Sequence, residues 1–286
     1  MKMINAGHVR QLMSTAEAIE SQRHAFESLA SGNAWQPDKI GGGRPGSDDT
    51  LFCYAAHLGP SSGAAVKFGS VNPANASVGL PAVHAVIVLL DAHSGAPVAV
   101  IDGSAVTELR TSAASAVAVD ALTAPDVTSL VVLGSGVQGM AHVRALSAVR
   151  AFTDTAMWSP DYEECCRATE LLTGEGFPVR VAHDLDEVVG NADVIVCATH
   201  STTPLFAPTS IKAGAAVLSI GSFERHRCEV GPELLRRSAN VVVDQADTAR
   251  RHCGPVVALA EDPAGPELVE LGDVLTHRVT LSTKDD

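Results

Sequence analysis

Residues 129–139, SLVVLGSGVQG, constrain this chain more than any other stretch. A run of aliphatic and β-branched residues leads into Gly134-x-Gly136-x-x-Gly139 and then into the helical pattern MAHVRAL, so a buried strand turns sharply into a helix. Each glycine has a mechanical task there. Gly134 permits the tight bend, Gly136 leaves the backbone bare for a pyrophosphate, and Gly139 lets the helix pack closely on the strand. The helix N-terminus adds free N–H groups and the positive end of a dipole. Gly134, Ser135, Gly136, Val137, Gln138 and Gly139 are therefore candidate cofactor-binding residues, and the spacing predicts a dinucleotide.

Downstream, short apolar strands alternate with helical stretches. SLVVLG, a helix over 138–149, TAMW, a helix over 162–172, VRVA, a short helix near 185–189, ADVIVCA, AAVLSIG and NVVVD follow one another in that order. This predicts a Rossmann-type doubly wound parallel sheet in an α/β chain. Upstream the rhythm differs. Residues 8–31 have helical spacing, with Ser14 or Thr15 available as an N-cap and Gly32 as the stop. The Gly-, Pro- and Asp-rich stretch 36–49 reads as a loop. Extended segments follow over 51–57, 64–68 and 82–90, and the last turns at Asp91, His93, Ser94 and Gly95 into PVAVID as a hairpin. An Ala-rich helix over 104–122 leads to a boundary near Pro125. A length of 286 residues suits two domains, since single cores stop growing at roughly 250 to 300 residues. The expected organisation is an N-terminal α+β substrate-binding and oligomerisation domain over 1–122 and an NAD(P)-binding domain over 123–260. A short C-terminal segment over 261–286 returns toward the first domain.

Twenty basic residues against thirty-three acidic ones leave a formal net charge of −13. That is the wrong sign for general nucleic-acid or anionic-membrane binding. Hydrophobic residues make up 46% of the chain, which excludes disorder, yet no apolar run reaches the roughly 18 residues that would span a bilayer. The start MKMINAGHVRQL has no basic segment followed by an apolar one, so a cytoplasmic location is expected. The six cysteines show no CxxC, and His226, Cys228, His252 and Cys253 lack zinc-site spacing, so no metal site is expected.

Two cations upstream of the glycine turn suit a small anionic substrate: Lys67 in GAAVKFGS and Arg110 in VTELRTSAA. Arginine grips a carboxylate with two hydrogen bonds, and a nearby lysine adds a point charge and, if desolvated, a proton near neutral pH. An unpaired arginine inside an Ala- and Val-dominated helix is costly, which favours a ligand contact. At the end of the second strand of the nucleotide domain, an acid would hold the ribose of NAD. Ser159 stands there, so NADP is favoured over NAD, the alternative being that Asp161 reaches the ribose instead.

These residues resemble the ornithine cyclodeaminase and mu-crystallin family from residue 5 to about 275. The motifs are the lysine strand, N-x-x-x-GLP from Asn75 to Pro81, D-x-x-SG-x-P-x-A from Asp91 to Ala99, T-x-LRTSAA from Thr107 to Ala114, and GSGVQG. The resemblance implies that Lys67 and Arg110 bind the α-carboxylate or α-amino side of an amino-acid-like substrate, with Asn75 beside them. Lys39 in QPDK stands where the family has an arginine. Thr111, Thr199, Gly221 and Phe223 join the residues expected around the cofactor. Cyclodeaminases of the family use an aspartate in the loop after AAVLSIG, and Phe223 occupies that position. The implied function is an NAD(P)H-dependent reductase of a cyclic or linear ketimine, or the reverse amino-acid dehydrogenase. Alternatives are a cyclodeaminase with Glu224 substituting after a one-residue shift, and a non-enzymatic NADPH-binding crystallin-like protein. The family pairs first-domain sheets, so a homodimer is expected. Family members usually continue through a glycine-rich turn into a helix, whereas this sequence stops after LGDVLTHRVTLSTKDD, naturally short or truncated, and a missing helix would leave the substrate side more open. His84, His93 and His200 are expected as surface or hydrogen-bonded histidines.

Overall fold

The computed structural model describes residues 1–43, 49–260, 262 and 265–282. It divides into two compact units, Met1–Arg110 and Thr111–Asp286. In the first, β1 (Lys2–Ile4), α1 (Ala6–Leu12) and α2 (Thr15–Ala30) precede the strands β2 (Ile40–Gly43), β3 (Thr50–Ala56), β4 (Ala65–Val71), β5 (Val83–Leu90) and β6 (Pro97–Asp102). Then α3 (Gly103–Leu122) begins, and the division between the units falls inside it. The six strands form one sheet in the order β1-β6-β5-β4-β3-β2, antiparallel throughout except that β1 runs parallel to β6.

Two sequence expectations change here. The helical region over 8–31 is two helices, because Met13 is extended and Ser14 starts α2 with a capping box. Its hydroxyl accepts from the Glu17 N–H while the Glu17 carboxylate accepts from the Ser14 N–H, which satisfies two orphan donors at once. Within the stretch expected to be a loop, Ile40–Gly43 pairs with β3 as an edge strand. Backbone groups alone make that ladder, so the glycines that signal a loop do not prevent it. The rest of that stretch includes residues 44–48, which lie outside the described residues. The hairpin expected at Asp91–Gly95 forms, with Asp91 Oδ1 accepting from the Ser94 N–H at 2.8 Å and Gly95 at φ +69°.

Strand alternation gives the first sheet two unlike faces. One carries Lys67, Gly69, Ala85 and Ile87, and α3 begins against it. A Cβ on Gly103 would lie 2.8 Å from the Ala85 Cβ, so glycine is what admits the helix so close. The Ser104 hydroxyl then accepts from the Ala85 N–H and donates to the Val83 carbonyl, each at 3.2 Å. The opposite face presents Met3, Ile40, Leu51, Phe68 and Val86, all exposed.

The second unit contains β7 (Ser129–Leu133), α4 (Val137–Leu146), β8 (Asp154–Trp158), α5 (Tyr162–Gly174), β9 (Val179–Val181), α6 (Leu185–Asn191), β10 (Val194–Cys197) and β11 (Ala216–Ser219). All five strands are parallel in the order β11-β10-β7-β8-β9, the expected doubly wound sheet. Strand order reverses at β7, which puts a crevice beyond the C-terminal ends of β7 and β10. At the other end of those strands Asp193 accepts from Lys212, from the Thr128 and Ser129 N–H groups and from the Ser129 hydroxyl, and these hold its carboxyl far below the usual range.

After α7 (Pro232–Arg237), β12 (Val241–Val243) departs from expectation. NVVVD does not extend the main sheet. Past α8 (Ala246–His252) and α9 (Gly254–Val257), the C-terminal segment supplies β13 (Leu268–Glu270), which pairs with β12 in parallel as a separate two-stranded sheet before α10 (Leu271–Leu275). The partner lies beyond a segment with no strand signal of its own, so alternation alone could not reveal it.

Candidate active site

In the first unit the chemistry gathers around Lys67. Its ammonium donates to the Thr107 hydroxyl at 2.5 Å, and that hydroxyl donates back to the Gly103 carbonyl at 2.6 Å, so the first turn of α3 aims the lysine. Tyr54 is the cross-strand partner of Lys67, and Phe52 lies opposite Gly69 on the same face. The Phe52 ring reaches over Gly69 because a Cβ there would meet it at 2.7 Å. The Lys67 Nζ lies 5.2 Å from the Phe52 centroid and 5.9 Å from that of Tyr54, within cation–π range. Burial, helped by the Arg110 charge, pushes the Lys67 ammonium down to about 7. A lysine so placed can exchange a proton near neutral pH.

Arg110 is exposed, which corrects the expectation that its helix would bury it. Its field is nonetheless felt at Lys67, and a guanidinium open to solvent can receive a carboxylate. Asn75 is engaged otherwise than expected. Its amide donates to the Pro81 carbonyl at 2.9 Å and braces the loop between β4 and β5. Lys39 is half-buried, its backbone N–H bonded to the Asp38 carboxylate.

In the second unit each glycine of the turn does what its position requires. Gly134 sits at φ +114°, and a Cβ on it would meet the Ala198 carbonyl at 2.4 Å. A Cβ on Gly139 would meet the Gly134 carbonyl at 1.9 Å, so α4 packs directly onto the end of β7. Gly136, the N-cap of α4, faces open space. No acidic residue stands in the first turn of α4, and the Ser135 and Thr111 hydroxyls are buried with no hydrogen-bond partner among the described residues. Buried hydroxyls left so are costly. A bare cradle, a helix N-terminus and waiting hydroxyls fit a dinucleotide pyrophosphate. The buried His142 fixes α4 from behind, bonded to the Gln138 carbonyl at 2.7 Å and the Ser115 hydroxyl at 2.9 Å. At the end of β8, Asp161 caps α5, its Oδ1 accepting from the Glu164 N–H at 2.9 Å. That engages the carboxylate of the alternative ribose ligand and leaves Ser159 at the strand end.

The loops after β10 and β11 carry the remaining candidates. Thr199 was expected to face the cofactor, but its hydroxyl turns to the carboxylate of Glu229 at 2.8 Å. Gly221 is buried, and its N–H is likewise given to Glu229 at 2.7 Å. Its role is close packing, since a Cβ would meet the Thr199 carbonyl at 2.0 Å and the Glu229 carboxyl at 2.8 Å. Phe223 is 39% exposed, enough to meet a ligand, and the Arg227 guanidinium lies 4.9 Å from its ring centroid. Arg227 is buried and donates to the Glu224 carboxylate at 2.7 Å. Desolvation and the Arg227 charge lower the neighbouring His200 imidazole, against the pull of Glu224. Sequence reading passed over Thr107, Phe52, Tyr54 and Glu229. Thr107 stood in a quoted motif, and a glutamate ten residues past AVLS carries no signal of burial.

Comparison with known proteins places this arrangement. The model of the ornithine cyclodeaminase/mu-crystallin family matches residues 1–284. A Δ1-pyrroline-2-carboxylate reductase of Bacillus cereus is 27% identical over 257 residues, covering 89% of this chain and 78% of that protein. The solved Δ1-pyrroline-2-carboxylate reductase of Thermococcus litoralis, in complex with NADH and L-proline, superposes with a TM-score of 0.93 at 25% identity, covering 100% of this chain and 89% of that one. A solved probable ornithine cyclodeaminase from Bordetella pertussis has a TM-score of 0.88 at 30% identity, covering 100% and 88% respectively.

Proposed function

Because the chain belongs to the ornithine cyclodeaminase/mu-crystallin family, we propose that it reduces a small imine of an amino acid, cyclic or linear, with NADPH or NADH. The reverse reaction is an amino-acid dehydrogenation. Lys67 carries the reading. It is a lysine aimed by Thr107, flanked by Phe52 and Tyr54, and titrating at about 7. A bound nicotinamide supplies the hydride in such chemistry. Lys67 Nζ gives a proton to the substrate nitrogen, while Arg110 and Lys39 hold its carboxylate. The aromatic rings beside the lysine suit an apolar ring, and the relatives named as pyrroline-2-carboxylate reductases support a cyclic imine.

The loop after β11 separates this reading from cyclodeamination. Phe223 cannot move a proton, and Glu224 is held by the buried Arg227 rather than left available as a base. Ser159 at the end of β8, with Asp161 engaged as a cap, favours NADPH. The first unit supplies the substrate groups and the second the dinucleotide cradle. Two copies pair through the outward apolar face of the first sheet. No helix among the described residues is long and apolar enough to cross a membrane.

The test offers purified protein 1-pyrroline-2-carboxylate and its ring-expanded homologue with NADPH or NADH, and separately offers ornithine with catalytic NAD and an ammonia assay. Stoichiometric cofactor consumption without ammonia is expected. Ammonia from ornithine, abolished by Glu224→Gln, overturns the reading in favour of a cyclodeaminase.

A further inference from the structure

Glu229 is fully buried, yet no step of the proposed reaction uses it. Its carboxylate accepts four hydrogen bonds. Oε1 takes the Thr199 N–H and hydroxyl from the loop after β10. Oε2 takes the Ser219 hydroxyl and the Gly221 N–H from the end of β11 and the loop beyond it, at 2.8 and 2.7 Å. Its own N–H donates to the Ser222 hydroxyl at 3.0 Å, and that hydroxyl also bonds to Ser219 at 2.8 Å. One side chain thus ties together the two loops that border the C-terminal crevice of the sheet, the place where such folds bind ligands. None of these donors is a cation. Two are backbone N–H groups that can only donate, so the position demands an acceptor on both oxygens. Burial raises the carboxyl, and the donors from Thr199, Ser219 and Gly221 pull it back.

We infer that Glu229 is a positioning residue for the nicotinamide end of the dinucleotide, holding the Thr199 loop and the Gly221–Phe223 loop at a fixed separation while leaving the glycine-turn cradle unaffected. The inference rests on the dinucleotide reading above. Its physical basis is geometric. The open part of the cradle is Gly136 at the N-terminus of α4, whereas every partner of the Glu229 carboxylate lies on the β10 and β11 side; the two regions meet where Gly134 packs against the Ala198 carbonyl beside Thr199. A glutamine at this position has one acceptor and one donor, so it can keep one backbone N–H and must repel the other. One loop is then released.

The experiment compares binding of NADPH, NADH and ADP-ribose, which lacks the nicotinamide, to wild type and Glu229→Gln by calorimetry and by the emission of the bound reduced nicotinamide. The expected result is an approximately tenfold or greater loss for the reduced cofactors with a loss of their emission shift, while ADP-ribose stays within about twofold. Equal losses for all three ligands, or no loss for any, overturns the inference. If Glu229→Gln does not fold, Thr199→Val, which removes one donor and keeps the backbone, is measured the same way. A selective loss for the reduced cofactors then supports the inference, and a uniform loss or none overturns it. Wild type that binds none of the three refutes the dinucleotide reading itself, which is a separate outcome.

Discussion

At the scale of single residues, Lys67 has the most direct consequence. In the proposed reaction the protonated lysine gives the proton to the imine, so kcat/KM should fall about tenfold per pH unit above about 7. Lys67→Met should lose that limb along with most of the turnover, and pH–rate profiles of the two proteins check it. The same shift appears in stability. Between about 7 and the unperturbed 10.5 the unfolded chain holds a proton on Lys67 that the native chain has released. This residue's contribution to unfolding free energy therefore rises with pH across that window, and Lys67→Met should remove it. The lysine's candidacy was readable from its apolar strand context. Its partner Thr107 was not assigned a role, because a hydroxyl on a helix reveals its target only when the helix is docked.

Among the elements, the turn between β7 and α4 makes the sharpest contrast between neighbouring substitutions. A side chain at Gly136 meets open space, so Gly136→Val should leave the melting temperature nearly unchanged and weaken cofactor binding by about tenfold or more, roughly 1.4 kcal/mol. At Gly139 the added Cβ collides with the Gly134 carbonyl at 1.9 Å. Gly139→Ala should destabilise the fold by about 1 to 3 kcal/mol, through overpacking. Thermal melts and NADPH titrations of both variants separate the two tasks. This element was legible because its glycines answer to local backbone geometry. The edge strand Ile40–Gly43 was not, since its glycines read as a loop, and neither was the β12–β13 pair, since its strands are distant in sequence.

For the molecule as a whole, the proposed pairing of two copies rests on the outward face of the first sheet. Ile40, Leu51, Phe68 and Val86 are 75%, 55%, 53% and 46% exposed on one contiguous face. Isolated apolar residues are ordinary on a surface, but a face of this kind marks an interface. Phe68→Glu places a charge at its middle and should turn a dimer into a monomer in light scattering. The charge of −13 makes copies repel, so added salt should tighten the wild-type dimer. A monomeric wild type at micromolar concentration would refute the dimer.

The amino-acid sequence by itself determined the alternation that builds a parallel sheet, the glycine turn and the hairpin at Asp91–Gly95, and it marked Lys67 and Arg110 as candidates. These follow from patterns within a few residues: periodicity, β-branching, and the conformations that only glycine adopts easily. Tertiary structure alone decided that Asn75 braces a loop, that Thr199 and Gly221 turn to Glu229, that Arg227 holds Glu224, and that β12 pairs with β13. Each of these is a choice of hydrogen-bond partner. Polar groups must find partners once buried: Thr199–Glu229 and the β12–β13 pair join segments distant in sequence, while Asn75–Pro81 and Arg227–Glu224 depend on irregular loop conformations that no periodicity encodes.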